Sequence, residues 1–348
     1  MSPSAMTIER ALWTPSPARV ANTNVSAFRH AAHNRWGVAL PDYDALYAWS
    51  VDQPEQFWAS IWDDGGVIGT RGERVLVEGD KMPGAKWFPD ARLNFAQNLL
   101  RVRGSGDALV FWGEDKVRSR VSHDQLYRAV AQFAAALREQ GVVAGDRVAA
   151  YMPNVPETVI AMLAAASIGA IFTSASPDFG VQGVLDRFGQ TEPKVLLACD
   201  GYFYAGKTVD VLGKLGEIAN QLPSVRRVVV VPYVHREHDL AGLPNGCMFG
   251  DFIAPFSGED EIEFVQLPFD HPLYIMYSSG TTGVPKCIVH CAGGALLQHL
   301  KEHRLHADVK PGDRVFYFTT CGWMMWNWLV SALAAEATLL LYDGSPFA

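Results

Sequence analysis

From about residue 107 onward, short and nearly unbroken apolar runs recur along the chain. They read "ALVFW", "RVAAYM", "AIFTSAS", "KVLLACD", "RRVVVVP", "PLYIMYSS", "CIVH", "RVFYF" and "TLLLYD". Strands buried on both faces need such runs, whereas half-exposed strands alternate. Between the runs, apolar residues repeat at helical spacing, as at Leu126, Val130, Phe133 and Leu137. Ser122 with Gln125 three residues later has the form of a capping box, and Gly141 stands where a left-handed cap would stop that helix. A second helix is expected with Asn154 as its cap, Pro156 in its first turn and Gly169 after its end. Further helices are expected through Val184 and Phe188, through Val211 and Leu215, from about Gly294 to His306, and around Trp326 to Ala335. Alternating strands and helices predict an α/β fold of mainly parallel sheets covered by helices on both faces.

The pattern divides the chain. Residues 1–104 are rich in aromatics and loop formers and read as an N-terminal extension, with Trp49, Trp58, Trp62 and Trp87 packing it. Asp52 or Pro54 would open a short helix there, and Gly65-Gly66 would close it. Residues 105–348 carry the α/β pattern, interrupted by a loop-rich stretch at 233–270. Gly-Asp-Arg-Val occurs at 145–148 and again at 312–315, each time between a helix and a buried strand. Either instance alone is a common turn; the pair hints at two related half-sheets. The chain ends in "YDGSPFA" with no helix after its last apolar run, so a continuation past Ala348 is expected.

Composition narrows the possibilities. The 348 residues are 49% hydrophobic and 19% charged, an ordinary globular balance. A formal net charge of −8 argues against nucleic acid as a partner. Cys199, Cys247, Cys287, Cys291 and Cys321 are scattered and odd in number, which suits a reducing, cytoplasmic setting. The first residues contain no apolar stretch long enough for a signal peptide. Two uncharged runs, Thr158 to Asp178 and Val315 to Ala335, approach the length of a membrane span, but each holds several Ser, Thr or Asn residues and an internal glycine. A buried helix joined to a buried strand accounts for them better than a span does.

The chemistry concentrates in "YSSGTTGVPK" at 277–286. Gly280 and Gly283 can take positive φ, which lets successive N–H groups turn toward one anion. Ser278, Ser279, Thr281 and Thr282 add hydroxyl donors, and Lys286 adds a point charge. A P-loop needs glycine five residues after Gly280, and Pro285 stands there. The loop therefore suits phosphate without being a P-loop. It follows a buried strand, at the edge where α/β sheets bind ligands.

This stretch resembles the glycine-rich motif of the adenylate-forming superfamily, which includes the acyl-CoA synthetases. "SSGTTGVPKCIVH", "GGALLQHLKEH" and "TTCGWMMWNWLVSALAAEATLLLYDGSPF" resemble the acetoacetyl-CoA synthetase family, as do "SVDQPEQFW" and "KWFPDARLNFAQNLL" nearer the start. The superfamily usually has Gly after the lysine, where this chain has Cys287. The resemblance covers essentially the whole chain. It implies ligation of acetoacetate to CoA through an acyl-adenylate, with ATP, Mg²⁺ and CoA as co-reactants; another short acid such as acetate, propionate or hydroxybutyrate is the alternative. It also implies that Ser278, Ser279, Gly280, Thr281, Thr282, Gly283 and Lys286 hold the ATP phosphates. Lys286, Thr281 and Thr282 would then assist the chemical step. The family's acidic Tyr-Gly-x-Thr-Glu segment, ribose-binding aspartate and catalytic C-terminal lysine are not found in these residues, so the chain alone is expected to be inactive. A non-catalytic binding or scaffold role is the remaining alternative.

Three further groups stand out. From composition alone, Trp323 and Trp326 would be core, three apart on a helix; the resemblance instead implies that Trp323, Met324 and Met325 shape the acid pocket. Lys207 aligns loosely with a CoA-phosphate contact of the relatives. His299, His303 and His306 share one helix face at a spacing that can bind zinc. No acidic or cysteine partner stands nearby, and the family carries this helix at its surface without metal, so no metal site is expected. Cys287 and Cys291 straddle a strand end and are expected to be buried thiols.

Overall fold

The computed structural model describes residues 12–235, 239–278 and 283–347. After a short helical turn at Pro17–Ala21, three helices follow: α1 (Asn24–Trp36), α2 (Tyr43–Asp52) and α3 (Pro54–Asp64). Pro54 opens α3, and Gly66 at φ +58° follows its end. The expected aromatic packing is present. Phe57 lies edge-on to Trp49 and Trp58, Trp58 to Trp87, and Trp62 meets Phe88 at 5.3 Å.

The α/β part runs β1 (Asp107–Gly113), β2 (Val117–Ser122), α4 (His123–Glu139), β3 (Arg147–Tyr151), α5 (Pro156–Ser167), β4 (Ile171–Ala175) and α6 (Val181–Thr191). Next come β5 (Val195–Cys199), a hairpin of β6 (Gly201–Tyr204) and β7 (Lys207–Asp210), α7 (Leu212–Asn220), β8 (Arg227–Val231) and β9 (Gly246–Met248). The last elements are β10 (Pro272–Ser278), β11 (Lys286–Cys291), α8 (Ala292–Lys301), β12 (Arg314–Phe316), α9 (Met324–Ser331) and β13 (Thr338–Asp343).

Seven strands form the main sheet in the order β9-β8-β5-β3-β4-β10-β11. Every neighbouring pair is parallel except β10 with β11. The inner strands are buried along their length, as their unbroken apolar runs require. A second sheet, β12-β13-β1-β2, is parallel except for the β1–β2 hairpin. One face of it is buried; the other presents Trp112, Phe316 and Leu340. Ser122 makes the capping box with Gln125, and Gly141 takes φ +70°. Asn154 does not cap α5: Val155 holds that position, and the Asn154 carboxamide accepts from Trp326 Nε1 at 2.9 Å. A buried indole N–H needs an acceptor, and this demand outweighs the cap.

The two Gly-Asp-Arg-Val turns are structural equivalents, offset by 167 positions. Gly145 and Gly312 take φ +87° and +83°. Asp146 accepts from Val143 N and Asp313 from Lys310 N, both at 2.8 Å. Arg147 pairs with Ile171 in one sheet and Arg314 with Thr338 in the other. Each turn also binds the residue that reverses the following helix into the next strand: Gly145 N donates to Gly169 O, and Gly312 N to Glu336 O. The sequence echo therefore marks two strand–helix–strand units built alike.

The N-terminal extension is tied in by Asn94, which is fully buried. Its amide nitrogen reaches Ala166 O, Ser167 O and Val265 O within 3.1 Å, and its Oδ1 caps the short helix Phe95–Leu99. One side chain thus ties the extension to carbonyls at the end of α5, adding to the backbone N–H groups of Gly169 and Val265 that Ala166 O and Ser167 O already accept.

The two reversals differ at one residue. Gly169 has φ +79°, whereas Glu336 occupies the equivalent left-handed position at φ +62°. Left-handed backbone costs an L-residue roughly 1–2 kcal/mol relative to glycine. Glu336→Gly is therefore expected to stabilise the chain by about 1 kcal/mol once the added unfolded-state freedom is discounted. Gly169→Ala is expected to destabilise it, because a Cβ there would lie 3.0 Å from Ala144 Cβ. Urea denaturation of both variants checks the opposite signs; shifts of the same sign would show that the turns are not equivalent.

Candidate active site

The glycine-rich segment joins β10 to β11. Ser278 pairs with Lys286 and Tyr277 with Cys287, so its two ends are held in antiparallel register. Because β10 runs parallel to β4, the segment emerges at the carboxyl edge of the parallel sheet. Ser279, Gly280, Thr281 and Thr282 lie outside the described residues. Gly283 has φ +92° with open space around it. Lys286 is exposed and makes no ion pair among the described residues.

Side chains that the sequence pattern did not single out fix the base of this segment. Gln190, at the end of α6, donates to Pro285 O at 2.8 Å. Thr173 on β4 donates to Tyr277 OH at 2.7 Å. Burial pushes the Tyr277 phenol up to about 12, so it stays neutral. Arg187 on α6 lies over the ring of Phe179 at 4.5 Å and nearer the loop over that of Tyr277 at 5.7 Å. It is a second cation at the loop's base. Neither Gln190 nor Arg187 sits in a motif; only the packing of α6 beside β10 reveals them.

The second candidate group comes to the same edge. Ser174, near the carboxyl end of β4, donates to Cys321 O at 2.6 Å, and a Cβ on Gly322 would stand 3.7 Å from Ser176 N. This seats the start of α9 on the end of β4. Asn327 Nδ2 lies 3.1 Å from Met276 Sδ of β10. The two tryptophans part company: Trp326 is buried and stacks on Phe172 at 6.0 Å, while Trp323 is 65% exposed. Met324 and Met325 are half-buried. The expectation of core packing thus holds for Trp326 and fails for Trp323, which precedes the helix in extended backbone.

Lys207 lies elsewhere on this edge. It begins β7 in the hairpin after β5, and β3 and β4 stand between β5 and β10. Gly206 N donates to Glu114 Oε2 at 2.9 Å, and Ser345 N to Glu114 Oε1 at 3.0 Å. Glu114 therefore clamps the hairpin to the segment after β13. Beside it, burial raises the Asp343 carboxyl to about 6 while Tyr233 OH donates to it at 2.9 Å.

The histidines contradict two expectations. The helix that carries them is not at the surface: His299 and His303 are buried. Helix α8 also ends at Lys301 and continues as a π-helical turn, Glu302–His306, so the three rings do not share one α-helical face. Ser331 Oγ lies 2.8 Å from His299 Nδ1, and His303 Nε2 lies 2.8 Å from Trp328 O. Glu302 accepts from Trp328 Nε1 at 2.8 Å. These groups anchor α9 rather than a metal. Among the described residues no group of three His, Cys, Asp or Glu could hold a metal ion. Cys287 is exposed, contrary to expectation, because β11 is an edge strand. No helix among the described residues is long and apolar enough to cross a membrane.

The family model described as "AMP-binding enzyme" matches residues 100–348. The chain belongs to the AMP-binding enzyme family. The model "Acetyl-coenzyme A synthetase N-terminus" matches residues 43–99. Among curated relatives, acetoacetyl-coenzyme A synthetase of Rhizobium meliloti is 55% identical over 98% of this chain and 52% of its own length. A malonamoyl-CoA synthetase of Penicillium aethiopicum is 42% identical over 97% of this chain and 48% of its own. The solved acetoacetyl-CoA synthetase from Streptomyces lividans superposes with a TM-score of 0.91 at 42% identity, covering 97% of this chain and 52% of that one. The chain spans about half the length of these AMP-binding relatives.

The buried histidines set a pH limit on the site. Burial lowers His299 to about 3 and His303 to about 4, so both are neutral in the fold. Below pH 6.5 the unfolded chain takes up protons that the fold refuses, and stability falls as pH drops toward 4. Each histidine contributes a loss of about 2 kcal/mol between pH 7 and 5. Denaturation midpoints measured across this range are expected to drop, and His303→Gln is expected to flatten the slope whatever it does to absolute stability. An unchanged slope would place the acid sensitivity elsewhere.

Proposed function

We propose that this chain supplies the phosphate-gripping and acid-selecting part of an ATP-dependent acid–thiol ligase that converts acetoacetate to acetoacetyl-CoA. The carrying observation is the hairpin at the carboxyl edge. Gly283 has open space around it at φ +92°, and Lys286 is exposed and makes no ion pair among the described residues. The segment that holds Trp323, Met324 and Met325 is seated on β4 and β10 at the same edge. Family membership supplies the reaction class.

In the first step the acid's carboxylate attacks the α-phosphorus of ATP, and the bond to the bridging oxygen breaks. Acyl-adenylate forms, and pyrophosphate leaves with the electron pair. Negative charge grows on that leaving group. Lys286 and the loop's N–H and hydroxyl groups, including Ser278, Ser279, Thr281 and Thr282, would bind it more tightly as the charge develops. In the second step the thiol of CoA displaces AMP from the acyl carbon, with Lys207 as a candidate for the CoA phosphates. Mg²⁺, which prefers phosphate oxygens and water to an all-protein cage, would enter with the triphosphate and offset its charge.

Acetoacetate and malonamate, the acids in the relatives' names, are both short carboxylates with a carbonyl on the third carbon. This favours a small 3-oxo acid over a plain alkanoate. Met324 and Met325 would adapt to its methyl end.

Calorimetry tests the phosphate site directly. The purified chain is expected to bind pyrophosphate, and Lys286→Met to weaken binding by about tenfold, the share of one charge-assisted contact. An unaffected variant, or no binding by the wild type, would remove Lys286 from that role. The chain alone is expected to give no acetoacetate-dependent exchange of pyrophosphate into ATP. Exchange at a measurable rate would mean that these residues suffice for adenylation.

A further inference from the structure

A cavity of about 490 Å³ lies between the N-terminal helices and the end of α8. Leu46 and Tyr47 of α2, Phe57 and Trp58 of α3, and Leu305 of the π-helical turn form its apolar walls. Its size is that of a small-molecule pocket, and pockets of this kind join apolar walls to a few polar groups. Lys301, the last residue of α8, supplies the main polar group. None of the lining residues belongs to the glycine-rich loop or to the Trp323–Met325 segment.

The charge at this cavity is unbalanced. Lys301 is half-buried, its ammonium 5.7 Å from the centre of the Trp58 ring. Among the described residues it makes no ion pair, and no carboxylate lines the cavity. The adjacent acid, Glu302, is committed elsewhere, one oxygen to Gln298 Nε2 at 2.6 Å and the other to Trp328 Nε1 at 2.8 Å. Burial lowers the Lys301 pKa, and the field of the neighbouring Glu302 carboxylate offsets this only in part. His306 lines the same cavity from the exposed side and adds a donor.

We infer that this cavity is a binding site for a small carboxylate with an apolar body. The carboxylate would sit on Lys301, and the body would lie against Trp58, Leu46 and Leu305. A neutral apolar ligand would leave the cation without a partner; an inorganic anion would leave the aromatic walls wet. The π-helical turn that forms one wall also holds α9 from its other side, where the His303 and Trp328 rings lie 4.1 Å apart. Cavity and acid-pocket segment therefore share one support.

The test titrates the purified chain with octanoate and with 1-octanol, followed by calorimetry. Octanoate is expected to bind about tenfold or more tightly than the alcohol, the share of one charge-assisted contact. Lys301→Met is expected to remove that preference and leave the alcohol's affinity unchanged. Failure of both ligands to bind, equal binding of the two, or octanoate binding unaffected by Lys301→Met would each overturn the assignment. The octanoate–octanol comparison stands on the wild-type chain even if the variant folds poorly. Pyrophosphate binding measured in parallel reads the other site independently.

Discussion

A parallel sheet buried on both faces leaves little room for polar chemistry except at its edges. The inner strands β3, β4, β5 and β8 are closed over by helices, and α5 is itself buried along almost its whole length. A charged side chain inside these layers would cost several kcal/mol without a partner. Chain that leaves the carboxyl ends of the strands meets water and backbone N–H groups at once. The loop after β10, the hairpin after β5 and the segment seated on β4 all gather there. The location of the candidate site thus follows from what the interior excludes.

Strand runs, helix order and the capping box at Ser122 were legible because each is local. An apolar run declares a strand within a few residues, and a cap is written in adjacent side chains. Burial is another matter, because "CIVH" and "RVFYF" became edge strands β11 and β12 with Ile288, Val289 and Phe316 exposed. Where the sequence misled, a distant partner had claimed the residue. Asn154 looks like a cap, yet an indole 172 residues later in the chain takes its oxygen. His299, His303 and His306 have a spacing that would put them on one helix face, yet α9 folds over the first two, and a π-helical turn breaks the face. Gln190, Arg187 and Glu114 contact the candidate segments from outside any motif, because these contacts exist only once α6 and β1 have packed beside the carboxyl edge. The repeated Gly-Asp-Arg-Val turn was legible for the opposite reason. Its glycine and aspartate satisfy the turn's own backbone, so the unit can be copied whole.

Asn94 shows how the aromatic N-terminal region becomes part of the α/β body. An exposed asparagine would do no more than cap its own helix. Buried, it must satisfy two N–H groups as well as its oxygen, and the carbonyls of Ala166 and Ser167 at the end of α5 supply the acceptors through their second lone pairs. The extension is therefore bonded to the helix that covers the main sheet. The cavity at Lys301 forms along the same seam, between the extension's helices and α8.

Cys287 is the chain's departure from the superfamily's usual glycine, and its geometry shows why the departure is tolerated. Glycine is required where φ is positive or where backbone approaches closely. Residue 287 meets neither condition. It lies in regular antiparallel register with Tyr277, on an exposed edge strand, with its thiol 3.7 Å from Gln190 Oε1. Among the loop's described residues the positive φ belongs to Gly283. A side chain at 287 therefore leaves the backbone conformation at Gly283 unchanged. It adds a contact to Gln190, the residue that already holds the loop's exit through Pro285 O.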